Sequence, residues 1–182
     1  MKTCILVAEN FEEIEMINTV DVLRRGKILV DILSISEDKK VMGCNNISVF
    51  CDDLIKNKLN DMYDCVIFPG GPGYQNLAAS EKVKTFVIKH HDNKKKIAAV
   101  CAAHFAVQEF GLFKGATITC YPLVKDNVSK DYTYKEAATM VHGNYITGRS
   151  PSNTIDFALK IVEELTSLEV VKDVVKQLAP LN

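Results

Sequence analysis

Five short apolar runs separated by helical patterns constrain this chain more than any other feature in it. Residues 3–8, 28–35, 65–68, 97–100 and 116–120 are each roughly four to eight apolar positions between polar punctuation, as in strands buried on both faces. Between the first two runs, Asn10-Phe11-Glu12-Glu13 reads as an N-cap followed by Glu13 at the third helical position. Ile14, Ile17 and Val20 then recur at helical spacing up to Arg24-Arg25-Gly26, a basic last turn with a glycine stop. Helices also fit 76–90, 102–110 and 152–165, with a last one over 168–178 ended by Pro180. Strands alternating with helices predict βαβ units, hence an α/β fold whose mostly parallel sheet is covered on both faces. Residues 40–51, around Asn45-Asn46, predict a hairpin, and 132–148, around His142-Gly143, a second β excursion from the main sheet. A length of 182 residues suits one domain spanning 1–182.

Charge and cysteine usage narrow the function classes. With 22 basic against 23 acidic residues the net charge is −1, so there is no electrostatic footprint for nucleic acid or an anionic membrane. No stretch approaches the roughly 20 apolar residues of a membrane span. The N-terminal apolar run is only about five residues before Glu9, too short for a secretory signal, and a cytoplasmic location is expected. Cysteines at 4, 44, 51, 65, 101 and 120 form neither a C-x-x-C pair nor a Cys/His set at zinc spacing, so thiols are expected and no metal is implied.

Chemistry concentrates at Ile97-Ala98-Ala99-Val100-Cys101-Ala102-Ala103-His104. An apolar strand runs through a cysteine into a helix, with alanines two residues to either side. That is the small-x-nucleophile-x-small layout of a strand-to-helix elbow, where large side chains would clash. There the sulfur would face a helix N-terminus that favours thiolate; a buried structural cysteine fits the same segment. A second strand ends in Pro69-Gly70-Gly71-Pro72-Gly73, and ligands in open α/β sheets bind beyond the carboxyl ends of strands. The backbone N–H groups of Gly71 and Ala102 would then make an oxyanion hole beside the sulfur, although a tight turn with no ligand reads equally well. No nucleotide-binding glycine pattern occurs. In the cluster Glu12, Glu13 and Glu15, acids of a first helical turn commonly just complement the dipole. Glu15 lies beyond the capping turn, where a carboxyl could hydrogen-bond the sulfur and, protonated, stabilise thiolate or sulfinate.

These segments, with Tyr121-Pro122-Leu123-Val124-Lys125-Asp126, Tyr132-Thr133-Tyr134 and Gly148-Arg149-Ser150-Pro151 before Asp156-Phe157-Ala158-Leu159, together resemble the ThiJ/PfpI superfamily, most closely its DJ-one branch, over nearly the whole chain. The resemblance implies a flavodoxin-like three-layer sandwich with a nucleophile elbow, as in class I glutamine amidotransferases, and assembly as a homodimer. It implies an oxidation-prone Cys101 hydrogen-bonded by Glu15, with Gly71 and Ala102 as oxyanion donors and no cofactor. The implied activities are conversion of glyoxal or methylglyoxal to the hydroxy acid, deglycation of early glycation adducts, and, as a reading of another class, a redox sensor and chaperone in oxidative stress. In the glyoxalase reading Cys101 adds to the aldehyde as a hemithioacetal and Glu15 shuttles the proton between carbons. Cys44 and Cys51 match secondary oxidation positions, Cys51 near the dimer interface. Arg25 and Arg149 match arginines around the mouth of the cysteine pocket, and simple surface ion pairs account for them equally well.

The chain departs from the family pattern twice. Members with an assisting histidine carry His-Pro-Leu where this chain has Tyr121-Pro122-Leu123, a phenol in place of an imidazole that titrates near neutrality. Cys-Ala-Gly-Pro becomes Cys101-Ala102-Ala103-His104, so His104 is either a substitute proton relay or a packed side chain. Ala102 stands where the protease-like branch has a histidine, which argues against peptidase activity, and the elbow lacks the flanking glycines of glutamine amidotransferases.

Overall fold

The computed structural model describes residues 1–178; Pro180, expected to end the last helix, lies outside them. In chain order the strands are β1 (Lys2–Val7), β2 (Leu29–Ser34), β3 (Lys40–Met42), β4 (Ser48–Phe50), β5 (Asp53–Leu54), β6 (Cys65–Phe68), β7 (Lys96–Val100), β8 (Thr117–Ile118), β9 (Thr133–Tyr134), β10 (Thr139–His142) and β11 (Tyr145–Gly148). The α-helices are α1 (Glu13–Arg25), α2 (Tyr74–Ala79), α3 (Glu81–Asp92), α4 (His104–Glu109), α5 (Thr154–Leu165) and α6 (Leu168–Leu178). Seven strands form the main sheet in the order β10-β11-β7-β6-β1-β2-β5. Every pair in it is parallel except β10 with β11.

Strand alternation divides the core into two layers. Ile5 and Val7 of β1 point toward α1, α5 and α6, where Met16, Leu23, Phe157, Ile161 and Val174 are buried. Cys4 and Leu6 point toward α2, α3 and α4, against Leu77, Val83, Phe86 and Val107. The period-2 geometry of a strand therefore makes a continuously apolar sequence serve both faces at once, and the result is the expected three-layer α/β sandwich. No helix among the described residues is long and apolar enough to cross a membrane.

Several expectations are corrected. Residues 144–147 do not leave the main sheet: β11 is fully buried beside β7, pairing Ile146 with Ala98. Residues 116–120 instead shrink to the two-residue β8, which pairs with β9 in a small separate sheet. The cause is visible at Thr119, whose N–H donates to Thr147 Oγ1 at 2.9 Å instead of to a neighbouring strand. The helix expected over 76–90 breaks into α2 and α3 at Ser80, whose hydroxyl accepts from Val83 N–H and caps the second piece. The 40–51 segment does form a hairpin, pairing Lys40 with Phe50 and Met42 with Ser48.

At α1 the N-cap is Glu12, not Asn10: Glu12 Oε2 accepts from Glu15 N–H at 2.8 Å, and Asn10 sits at φ +64° in the preceding turn. Glu13 and Glu15 are thus the first and third helical residues. That phase turns Ile14 and Ile17 outward, 50% and 43% exposed, and buries Glu13, Glu15, Met16, Val20 and Leu23 instead. Two carboxyls have replaced two isoleucines on the inner face, an expensive arrangement unless each finds partners.

Candidate functional site

The elbow forms where β7 ends. Val100 is extended, Cys101 turns to φ +62°, and a 3-10 turn over Cys101–Ala103 leads into α4. A left-handed conformation at a residue with a side chain costs about 1–3 kcal/mol and persists only where the surroundings impose it. Here Tyr121 N–H donates to Cys101 O at 3.3 Å, and Ala99 and Ala103 are fully packed on either side.

From β6, the Pro69-Gly70-Gly71 turn closes on the elbow and on the loop before α1. Gly70 N–H donates to Glu15 Oε2 at 2.7 Å, and Gly70 O accepts from Glu12 N–H at 3.0 Å. A side chain at Gly70 would put its Cβ 2.7 Å from both Cys101 Cβ and Glu15 Oε2. Gly71, at φ +81°, would meet Glu12 N at 2.6 Å. Gly70→Ala should therefore cost about 1–3 kcal/mol in a denaturant melt, as overpacking does, and separate thiol from carboxyl. A variant with wild-type stability would contradict this packing.

The sulfur is met from three sides. Glu15, fully buried, faces the thiol closely enough to shift its ionisation, and its Oε1 has no hydrogen-bond partner; the backbone N–H groups of Gly71 and Ala102 also act on the sulfur. Burial, more than any other influence, pushes the Glu15 carboxyl up to about 7, against the opposing influence of the Cys101 thiol and the hydrogen bond from Gly70. Burial also raises the Cys101 thiol, and the facing Glu15 carboxylate adds to it; the two N–H groups pull the other way. The expected helix-favoured thiolate is corrected here. The α-helix starts only at His104, and desolvation beside a carboxylate outweighs two amide dipoles. Near neutral pH the proton of this pair rests on the sulfur while the carboxyl titrates.

A cavity of about 440 Å³ opens over Cys101, walled by Glu12, Cys44, Gly71, Tyr74, Ala102, Tyr121 and Pro151. Tyr121 thus occupies the cavity wall. His104 does not. It points into the opposite layer, with Nδ1 2.8 Å from the Tyr145 hydroxyl and its ring edge-on to Tyr132 at 4.8 Å. Burial lowers it to about 4, so of the two alternatives for His104 the structure has the packed neutral imidazole, and its candidacy for the pocket is withdrawn. Arg25 pairs with Asp21 and Arg149 with Glu136, each at 2.8 Å, and neither lines the cavity. Cys51 is buried, and desolvation raises its thiol to about 12.

Two residues gain roles that spacing did not signal. Glu13, assigned to the cap, accepts from Asn45 N–H at 2.7 Å, Asn45 Nδ2 at 3.0 Å, Ile47 N–H at 3.3 Å and Cys44 Sγ at 3.5 Å. Burial alone would raise its carboxyl, but the bonds from Asn45 and Ile47 bring it below the ordinary value. It pins the hairpin turn to the cavity rim, and with it Cys44, whose thiol burial and Glu13 raise to about 11. Glu12, one of three adjacent acids in the sequence, is the carboxyl on the cavity wall. The signal for both lay in the helix phase, one residue removed from the apparent capping pattern.

Residues 1–164 match the model of the DJ-1/PfpI family. The chain belongs to that family. Protein DJ-1alpha of Drosophila melanogaster is 37% identical over 175 residues, 94% of this chain and 81% of the relative. A Caenorhabditis elegans relative named glutathione-independent glyoxalase DJR-1.2 is 31% identical over 175 residues, 96% of this chain and 93% of the relative. Among solved structures, Drosophila melanogaster DJ-1beta superimposes with a TM-score of 0.95 at 31% identity, covering 97% of this chain and 96% of that one. Toxoplasma gondii DJ-1, oxidized, gives 0.92 at 32% identity, covering 97% of both chains. The DJ-1/PfpI sandwich is thus this chain's fold, with the elbow at the carboxyl edge of its sheet.

Proposed function

We propose that this DJ-1/PfpI chain is a cytoplasmic, homodimeric, cofactor-free glyoxalase or deglycase acting on glyoxal, methylglyoxal or early glycation adducts through Cys101 and Glu15. The observation that carries the reading is the convergence of one carboxyl and two backbone N–H groups on a single thiol at the floor of a cavity. Glu15 accepts the thiol proton as the sulfur attacks the aldehyde carbon, and the N–H groups of Gly71 and Ala102 stabilise developing negative charge there. Proton redistribution turns the hemithioacetal into a thioester of the 2-hydroxy acid, and water releases the acid. No electrons leave the substrate, so no redox partner is needed. The relative named as a glutathione-independent glyoxalase supports the same chemistry. The exposed apolar side chains of α1 and the hairpin, Ile14, Ile17 and Phe50, the last 74% exposed, support the homodimer by offering a face for a second copy. Formation of glycolate from glyoxal without added thiol tests the activity; absence of product would overturn it.

A second reading is a redox sensor and chaperone, favoured by the oxidized Toxoplasma relative and by a carboxyl that, when protonated, donates to a sulfinate oxygen. Peptide mass spectrometry after mild peroxide should then find Cys101 oxidised ahead of Cys4 and Cys65, both fully buried. Equal oxidation of the three would remove this reading.

A further inference from the structure

Converting a hemithioacetal to a thioester requires a proton to leave the carbon attached to sulfur, C1, and another to arrive at the adjacent carbon, C2. Glu15 is placed for the first task only. It is fully buried, one oxygen is held by Gly70 N–H at 2.7 Å, the other has no hydrogen-bond partner, and it faces the thiol without lining the cavity. C2 lies one bond farther out, in the cavity itself. Among the described residues on that wall, Glu12 supplies the single carboxyl, and none is His, Lys or Arg. The Cys44 thiol is turned to Glu13.

Glu12 is also held against the Pro69-Gly70-Gly71 turn that packs on the elbow. Its N–H donates to Gly70 O at 3.0 Å, and its backbone nitrogen lies 2.6 Å from where a Cβ on Gly71 would sit, Gly71 being one of the two residues whose N–H groups act on the sulfur. Capping of Glu15 N–H at 2.8 Å engages Oε2 and leaves the other oxygen outside that bond. Resting on the glyoxalase reading above, we propose that Glu12 is a second catalytic carboxyl, the general acid that protonates C2, so that the proton transfer is divided between two groups. Glu15, having passed the thiol proton to the C1 oxygen, takes the C1 proton; the C1–H electron pair moves into the C1–C2 bond and the C2=O π pair onto its oxygen. C2 receives its proton from Glu12, and the C1 hydroxyl proton passes to the C2 oxygen, leaving the C1 carbonyl of the thioester. Glu15 returns its proton, and Glu12 regains one, by exchange with solvent. Burial raises the Glu12 carboxyl above its ordinary value, in keeping with a group that must hold a proton to deliver it.

Glu12→Gln tests this, because the amide oxygen still accepts from Glu15 N–H while the ionisable proton is gone. With methylglyoxal in D2O, the wild type should give lactate deuterated at C2. E12Q should lose about 10²-fold in kcat, the lower range for a general acid, with unchanged melting temperature and unchanged alkylation of Cys101 by iodoacetamide. Glu12→Asp, which keeps both a cap and a carboxyl, should recover part of the loss. The assignment is overturned by E12Q turnover within about threefold of wild type, by a C2 hydrogen carried undiluted from C1, or by parallel loss of turnover and alkylation in both variants. A wild type inactive on methylglyoxal and glyoxal alike overturns the parent reading, and this assignment falls with it.

Discussion

Cys101→Ser should lower conversion of glyoxal to glycolate by about 10³-fold or more, as removal of a covalent nucleophile does. Serine fits the elbow: it is no larger than cysteine, and the φ of +62° is imposed by the packing of Gly70, Ala99 and Ala103. Stability should therefore stay within about 0.5 kcal/mol of wild type, in the range of a near-isosteric change whose hydroxyl can keep the same polar neighbours. What disappears is the soft nucleophile. A hydroxyl is far less acidic than a thiol, and the one base in contact with it is Glu15, at about 7. Turnover and a chemical-denaturation curve on the same sample separate the two effects. Retained activity in the serine variant would sink the cysteine mechanism, whatever the stability.

Glu15→Gln should act on activity and stability in opposite directions. Without the carboxyl, the thiol loses its proton acceptor, and turnover should fall by about 10²–10⁴-fold. Stability should rise at high pH. Because burial holds Glu15 at about 7 against an ordinary 4.5, the native state keeps a proton that the unfolded chain releases between those values. Wild-type stability therefore declines as pH climbs from about 4.5 to about 7 and then levels off. Glutamine keeps an acceptor for Gly70 N–H and does not titrate, so this component of the decline disappears. At pH 8 the variant should be about 1–3.5 kcal/mol more stable than wild type, the upper figure being the full shift from 4.5 to about 7 at about 1.4 kcal/mol per pKa unit. Denaturant melts at pH 5 and pH 8 measure the difference of differences. A variant weaker than wild type at pH 8 would show that the buried carboxylate is better solvated than its contacts indicate.

Both expectations depend on a site that the sequence described unevenly. The elbow was legible because its requirements are local: a β-rich run, a cysteine, and small residues two positions to either side leave few other conformations. The Pro69-Gly70-Gly71 turn was legible for the same reason. Glu15 was legible as a candidate through its place beyond the capping turn; the roles of Glu12 and Glu13 were not, because nearby acids look alike until the helix phase is known. The N-cap at Glu12 instead of Asn10 turns the isoleucines outward and sends one carboxyl to the sulfur, one to the hairpin and one to the cavity wall. His104 was equally ambiguous: its position after the elbow admits a relay, and only the Tyr132 and Tyr145 rings packed against it in the other layer remove that role.

What the amino-acid sequence determines by itself is the α/β sandwich, the edge of the sheet where chemistry can occur and the residue that can perform it. Each of these follows from periodicity and from short-range steric rules that operate within a few residues. Where the Glu15 carboxyl sits against the sulfur, and in what protonation state, is decided only by the tertiary structure. Desolvation and hydrogen bonding depend on what surrounds a group in space, and Gly70, Glu15 and Cys101 come from three elements far apart in the chain.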